Sequence, residues 1–133
     1  MTLAGGELLR ELGAVVEAAG GGTARLAIDR ERVQLRGVRD SINGGIVAAL
    51  AEAAFRVCLE VLLEPGERLG RTQEVTVAYL SAARGERTTF EARLLRKGRR
   101  LAVGEVEVRD AGSGELNAKA QVSCALVPAP PPA

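Results

Sequence analysis

The sequence predicts an α+β domain in which one long helix is wrapped by a curved antiparallel sheet. Residues 40–63 show one continuous apolar helix pattern, and the segments after residue 66 alternate with the period of strands. Connections of hairpin length join these segments, which favours antiparallel neighbours. A chain of 133 residues holds one such domain with a substantial core. We place that domain at residues 1–127.

The elements before the long helix are short. Residues 7–12 predict a helix closed by Gly13, and residues 14–19 and 23–28 predict two strands joined by three glycines. Residues 29–39 are charged and predict a connection along the surface, with or without a short strand.

The long helix has clear signals at both ends and two unusual features. Its N-cap candidates are Asp40, Ser41 and Asn43, and a Pro-Gly pair ends the run. Its first turn contains Gly44 and Gly45, although glycine costs roughly 1 kcal/mol relative to alanine inside a helix. The glycines bring backbone N–H groups close to whatever lies at the positive end of the helix dipole.

The second unusual feature is Glu52, an acidic residue in the middle of the helix among alanines. Burial there would raise the pKa of this carboxyl group toward the range of a general base. The numerous alanines of the helix also fit a close approach to a curved sheet.

Four strands are predicted after the helix, at residues 71–80, 86–96, 99–109 and 116–127, in the order of a meander. The last six residues, 128–133, are rich in proline and predict an extended or disordered tail.

Composition excludes several classes of function. The chain has no histidine, so it has no Ser-His-Asp triad, no Cys-His pair and no imidazole metal site. Aromatic residues make up 2% of the chain, which disfavours stacking on single-stranded nucleic acid. Neither a membrane span nor a signal peptide is indicated, so we expect a cytoplasmic protein. Cys58 and Cys124 lie in apolar stretches and are expected to be buried free thiols.

The stretch NGGIVAALAEAAF, residues 43–55, resembles the hotdog-fold acyl-CoA thioesterases of the phenylacetate-type and 4-hydroxybenzoyl-CoA-type branch. That family carries His-Gly-Gly with an acidic residue seven positions after the second glycine, and Gly45 and Glu52 have this spacing. The step Tyr79-Leu80-Ser81, followed by Gly85, resembles the family's next landmark. The stretches RKGRRLAVGEVEVRD and LNAKAQVSCALV resemble its last strands, so the resemblance covers residues 36–127.

The resemblance implies a hotdog fold and hydrolysis of an acyl-CoA, with coenzyme A as part of the substrate and no metal or other cofactor. It also implies a homodimer with two sheets joined edge to edge and active sites at the interface, and we expect a tetramer of two dimers. A spacing argument agrees. Gly44 and Glu52 are eight residues apart, roughly 12 Å along a helix, so one chain cannot easily aim both at one thioester carbon, whereas a two-fold axis can bring Gly44 of one chain near Glu52 of the other.

The resemblance gives the helix residues their roles, and each has a plainer alternative. Glu52 would activate water or attack the thioester, or it is a surface residue paired with Arg56. The Gly44 N–H would bind the thioester oxygen, or the glycine only permits close packing. Asn43 stands where the family usually has histidine; it would donate a hydrogen bond, or it is an N-cap. Gly37 stands where the family has Asn or Gln. Nearby Asp40 would take the place of that side chain, or it is a helix cap.

Residues outside the helix complete the predicted site. Ser81 would hold the nucleophilic water or orient the other chain's Glu52, or it is an ordinary turn residue. The backbone of Gly45 would lie against the substrate. The basic residues of one turn would receive the phosphates of coenzyme A, or they form a solvated hairpin tip. They are Arg96, Lys97 and Arg99, with Arg100 beside them.

The sequence therefore predicts an acyl-CoA thioesterase. One alternative is a non-catalytic hotdog module that binds an acyl-CoA or another small ligand. A second is an interaction domain whose helix N-terminus binds nothing. A hotdog dehydratase is disfavoured because that chemistry uses histidine. The acyl group, and the choice between coenzyme A and acyl carrier protein, stay open.

Overall fold

The computed structural model describes residues 6–32 and 41–130, so the predictions for Gly37 and Asp40 lie outside the described residues. One long helix packs against a six-stranded antiparallel sheet. The elements are α1 (Gly6–Glu11), β1 (Val15–Gly20), β2 (Thr23–Asp29), one 3-10 turn (Arg30–Arg32), α2 (Gly44–Glu60), β3 (Glu67–Tyr79), β4 (Arg87–Lys97), β5 (Leu101–Asp110) and β6 (Leu116–Pro128). The predicted fold class is confirmed. No helix within the described ranges is long and apolar enough to cross a membrane.

The order of strands in the sheet is β1-β2-β4-β5-β6-β3, and every neighbouring pair is antiparallel. The predicted four-strand meander is therefore wrong, because β3 pairs with β6 and not with β4. The segment after β3 does not turn back on itself. The N–H groups of Leu80 and Ser81 both donate to the carbonyl of Asn117 at the start of β6, at 2.9 and 3.0 Å. From there the chain crosses the end of the sheet to reach β4.

The helix α2 has 17 residues and is shorter than the predicted segment at both ends. It begins at Gly44 because Asn43 has an extended backbone, with φ −55° and ψ 135°, and caps the first turn. Its apolar face is fully buried and contributes Leu50, Phe55 and Leu59 to the core. All six strands contact α2, most extensively β4, so the helix lies along the concave side of the sheet.

The two cysteines are free and buried, as predicted. Cys58 lies on α2 and Cys124 on β6. Burial raises the pKa of both thiols, although Arg56 partly offsets this effect at Cys124.

The last described residues stay attached to the sheet. Pro128 ends β6 opposite Glu67, and the Ala129 N–H donates to the Gly66 carbonyl at 2.8 Å. The division between a domain at residues 1–127 and a disordered tail stays a prediction, since residues 131–133 lie outside the described ranges.

Candidate active site

The N-terminus of α2 opens into a cleft of about 500 Å³ at the end of the sheet where β3 finishes and β6 begins. Three of the four predicted catalytic residues, Asn43, Gly44 and Ser81, lie together in its wall. Tyr79 and Asn117 also line the cleft. The volume is within the range of small-molecule sites, which is roughly 300–1,000 Å³. This cleft is the candidate active site.

Asn43 satisfies most of the backbone donors of the first helical turn. Its side-chain Oδ1 accepts the Gly45 N–H at 2.7 Å. Its carbonyl accepts the N–H groups of Ile46 at 3.0 Å and Val47 at 3.1 Å. The interpretation of Asn43 as an N-cap is confirmed, and Gly45 has its N–H engaged by the cap.

The Gly44 N–H is the remaining donor of this turn. No acceptor for it is found in residues 6–32 and 41–130. The first N–H groups of a helix have no partner inside the helix, and they carry the positive end of its dipole. A donor without an intramolecular acceptor at this point suits an oxygen atom of a ligand that gains negative charge.

Packing does not explain why residue 44 is a glycine. The Tyr79 hydroxyl donates to the Gly44 carbonyl at 2.6 Å, and its ring lies over the glycine. A Cβ at position 44 would meet that ring at 3.5 Å, which is ordinary van der Waals contact. At Gly45, by contrast, a Cβ would lie 3.0 Å from the capping Oδ1 of Asn43. The Asn43 cap therefore restricts a Cβ at position 45, whereas position 44 has room for a Cβ.

Asn117 is a residue of this site that the sequence did not reveal. It is only 3% exposed, although strand alternation places it on the same face of β6 as the exposed residues Lys119 and Gln121. The segment that crosses the end of the sheet covers it. Its Nδ2 donates to Ser81 Oγ at 3.0 Å and to the Ala82 carbonyl at 3.4 Å. Strand alternation places Asn117 on the solvent side, so the sequence carried no signal for its burial.

Glu52 is half-buried and does not line the cleft of its own chain. The alternative of a pair with Arg56 is absent: within the described part of the chain, no ion pair joins the two side chains. Arg56 Nη1 instead donates to the Gly70 carbonyl at 2.9 Å, Thr72 Oγ1 at 3.3 Å and Cys124 Sγ at 3.2 Å. The Arg56 guanidinium therefore anchors the helix to β3 and β6 and does not pair with the Glu52 carboxylate.

The basic turn between β4 and β5 lies at the far end of the sheet from the cleft. The cleft includes Ala118 of β6. Lys97 of β4 lies opposite Ala102 of β5, which lies opposite Cys124 of β6. Six residues along a strand correspond to roughly 20 Å. Lys97 Nζ forms an ion pair with Glu67 at 2.8 Å, and this contact lowers the pKa of Glu67. One chain thus does not bring Arg96, Lys97 and Arg99 to the cleft.

A second cavity, of about 490 Å³, lies on the outer face of the sheet. Its charged side chains pair with one another: Arg25 with Glu91 at 3.2 Å, and both Lys119 and Arg93 with Glu105. Exposed pairs of this kind form a solvated surface and contribute little free energy. The cleft beside Gly44 is therefore the better candidate site.

Similar proteins carry the same fold. The family model described as Thioesterase superfamily matches residues 40–117, more than half of the chain. A thioesterase from Haemophilus influenzae is 19% identical, with a TM-score of 0.81 over 91% of this chain and 82% of that one. A thioesterase family protein from Silicibacter pomeroyi is 26% identical, with a TM-score of 0.77 over 91% and 88%.

A mutant of the phenylacetic acid degradation protein PaaI from Thermus thermophilus is 22% identical, with a TM-score of 0.76 over 90% of this chain and 97% of that one. No curated protein sequence matches this chain. The helix wrapped by a six-stranded sheet is the hotdog fold of these structures, and the matched residues 40–117 include the whole of α2 and Ser81. The chain belongs to the thioesterase superfamily.

Proposed function

We propose that this protein hydrolyses acyl-CoA thioesters in the cleft at the N-terminus of α2. The observation that carries the proposal is the Gly44 N–H, which points from the first turn of a 17-residue helix and has no acceptor within the described ranges. Hydrolysis of a thioester passes through a tetrahedral intermediate whose oxygen is negatively charged. A fixed backbone donor at a helix N-terminus stabilises that oxygen.

In the proposed reaction, water adds to the thioester carbonyl and the partner subunit's Glu52 takes its proton. The Gly44 N–H stabilises the oxygen that gains negative charge. When the carbonyl re-forms, the carbon–sulfur bond breaks and coenzyme A leaves as its thiolate. A direct attack by the carboxylate, followed by hydrolysis of the resulting anhydride, uses the same groups.

The assembly proposed for this chemistry is a homodimer joined through β3. This strand has 13 residues and forms one edge of the sheet in the single chain. Long free edges tend to be covered in soluble proteins. Tyr79 ends β3 and contacts Gly44, so pairing of two β3 strands places the active-site cleft beside the interface. The expected tetramer would join two such dimers.

Replacement of Glu52 with glutamine tests the proposal. We expect thiol release from acyl-CoAs to fall at least about 100-fold, since the amide cannot accept a proton from water. Wild type and variant would be assayed on short-chain, long-chain and aryl acyl-CoAs. Glu60→Gln is the matched control, because it makes the same change on the same helix two turns away. Absence of turnover by wild type on every thioester would contradict the proposal.

The cleft also predicts a preference among acyl groups. None of its described lining residues is charged, and its walls are mainly small or apolar side chains. A buried carboxylate without a partner is costly, and the proposed Glu52 base would repel it. We expect kcat/KM for neutral acyl-CoAs to exceed that for a carboxylated one, such as succinyl-CoA, at least about tenfold. Equal values for chains of matched length would contradict this assignment.

The second candidate function is a non-catalytic module that binds an acyl-CoA. Asn43 favours it, because its Oδ1 is engaged in capping the helix and its amide cannot titrate. This alternative predicts that an acyl-CoA raises the melting temperature of the protein without being cleaved. A melting experiment with the same thioester panel separates it from a hydrolase, and from an interaction domain that no acyl-CoA stabilises.

A further inference from the structure

Asn117 holds Ser81 through both its backbone and its side chain. Its carbonyl accepts the Ser81 N–H at 3.0 Å, and its Nδ2 donates to Ser81 Oγ at 3.0 Å. The backbone contact fixes the position of the serine at the wall of the cleft. The side-chain contact fixes the direction of its hydroxyl group.

The orientation of the Asn117 amide follows from its neighbours. The Ala82 carbonyl lies 3.4 Å from one terminal atom of the amide, and a carbonyl oxygen only accepts hydrogen bonds. That terminal atom must therefore be nitrogen, and the same nitrogen faces Ser81 Oγ. Since the nitrogen only donates, Ser81 Oγ is the acceptor in this bond and its own hydrogen remains free for another acceptor.

The other end of the amide is unusual. Asn117 Oδ1 is buried and has no hydrogen-bond partner among residues 6–32 and 41–130. An unpaired buried acceptor destabilises a fold, so this amide is not placed for stability alone. The shorter of its two side-chain hydrogen bonds, at 3.0 Å, is the one to Ser81 Oγ, and this bond leaves the Ser81 hydroxyl to act as a donor.

We infer that Asn117 is a positioning residue that sets the Ser81 hydroxyl as a hydrogen-bond donor to an oxygen at the reaction centre of the cleft. The inference rests on the proposed hydrolysis. Ser81 is a poor nucleophile here, because the chain has no histidine to activate it. As a donor it acts beside the Gly44 N–H, and its contribution grows as the acceptor oxygen gains negative charge in the transition state. Loss of this donor should lower kcat more than it raises KM.

A double-mutant cycle tests whether Asn117 acts through Ser81. We expect Ser81→Ala to lower kcat about 100-fold, as loss of one donor does in comparable sites. Asn117→Leu should lower kcat at least about tenfold with only a small change in melting temperature, because removal of the unpaired Oδ1 offsets the loss of the bonds to Ser81 and Ala82. The double variant should be no slower than Ser81→Ala. Gln121→Leu, an exposed amide on the same strand, is the control. Effects that multiply in the double variant would overturn the inference.

Asn117→Asp gives a second test, the pH dependence of kcat, which would not change if Asn117 had a purely structural role. An ionised carboxylate cannot donate, so the Ser81 hydroxyl would turn its hydrogen to it and away from the cleft. Burial raises the pKa of the introduced carboxyl, and below that pKa its protonated form donates again. The ratio of variant to wild-type kcat should therefore rise as the pH falls. Arg84, Asp110 and Glu115 line a cavity together with Asn117, and their charges would influence the midpoint of this change.

The outcomes separate the two proposals. A pH-independent ratio for Asn117→Asp, together with a loss of melting temperature in Asn117→Leu that matches its loss of activity, would show that Asn117 is structural. In that case the hydrolase proposal stands, since wild type is active. If wild type hydrolyses no thioester, the proposed function fails and the role of Asn117 fails with it.

Discussion

Replacement of Gly44 with proline is expected to lower kcat for thioester hydrolysis about 10²- to 10³-fold while the protein stays folded. Proline has no backbone N–H, so the substitution removes the proposed oxyanion donor and no other hydrogen-bonding group. Loss of one such donor raises the activation barrier by about 3 kcal/mol in enzymes that use it. KM should change little, because the donor acts mainly on charge that develops in the transition state.

The fold tolerates this change for reasons visible at the helix terminus. Gly44 is the first residue of α2, the position at which helices most readily accept proline. The residue before a proline must be extended, and Asn43 already has φ −55° and ψ 135°. A Cβ at position 44 would make ordinary contact with the Tyr79 ring. The melting temperature should therefore stay within a few degrees of wild type.

Gly44→Ala is the matched control, because it adds a Cβ and keeps the N–H. It should retain most of the activity, with equal or slightly higher stability, since alanine favours a helix over glycine. Steady-state kinetics on the best acyl-CoA, with a melting curve for each variant, provide the measurement. Equal kcat values for the proline and alanine variants would rule out the Gly44 N–H as a catalytic donor.

Replacement of Gly104 with alanine is expected to have the largest effect on stability. Gly104 lies in β5 at the point where the fully buried ring of Phe55 packs against the sheet. A Cβ at this position would overlap the Phe55 ring and lie 2.6 Å from the Arg93 carbonyl oxygen. Overpacking of a core typically costs about 1–3 kcal/mol, and here the strand backbone limits relaxation. We expect a loss of about 3 kcal/mol, or roughly 10 °C in melting temperature.

Two variants check that the cause is overlap with Phe55. Gly6→Ala adds a Cβ that meets nothing within 4 Å and should leave the melting temperature unchanged. Phe55→Leu in the Gly104→Ala background should recover part of the loss, although the same change alone destabilises the core. Thermal and urea unfolding measure these differences. A Gly104→Ala protein as stable as wild type would contradict the packing described here.

The sequence alone determined the features that depend on neighbours in the chain. Helical periodicity identified α2, and the sequence narrowed its N-cap to Asp40, Ser41 or Asn43, of which Asn43 forms the cap. Alternation identified the strands, although β3 starts at Glu67, earlier than predicted. The eight-residue spacing of Gly44 and Glu52 anticipated that one chain does not aim both groups at one atom. Each feature follows from backbone geometry over a few turns or residues.

Only the tertiary structure decided which distant segments meet. Strand alternation does not encode partners, so the pairing of β3 with β6 emerged only from the fold. That pairing brings the segment after Tyr79 over the start of β6. The segment buries Asn117, although strand alternation places this residue on the solvent side, and Asn117 contacts Ser81. Long-range packing sets these contacts because they depend on which surfaces the whole chain buries together.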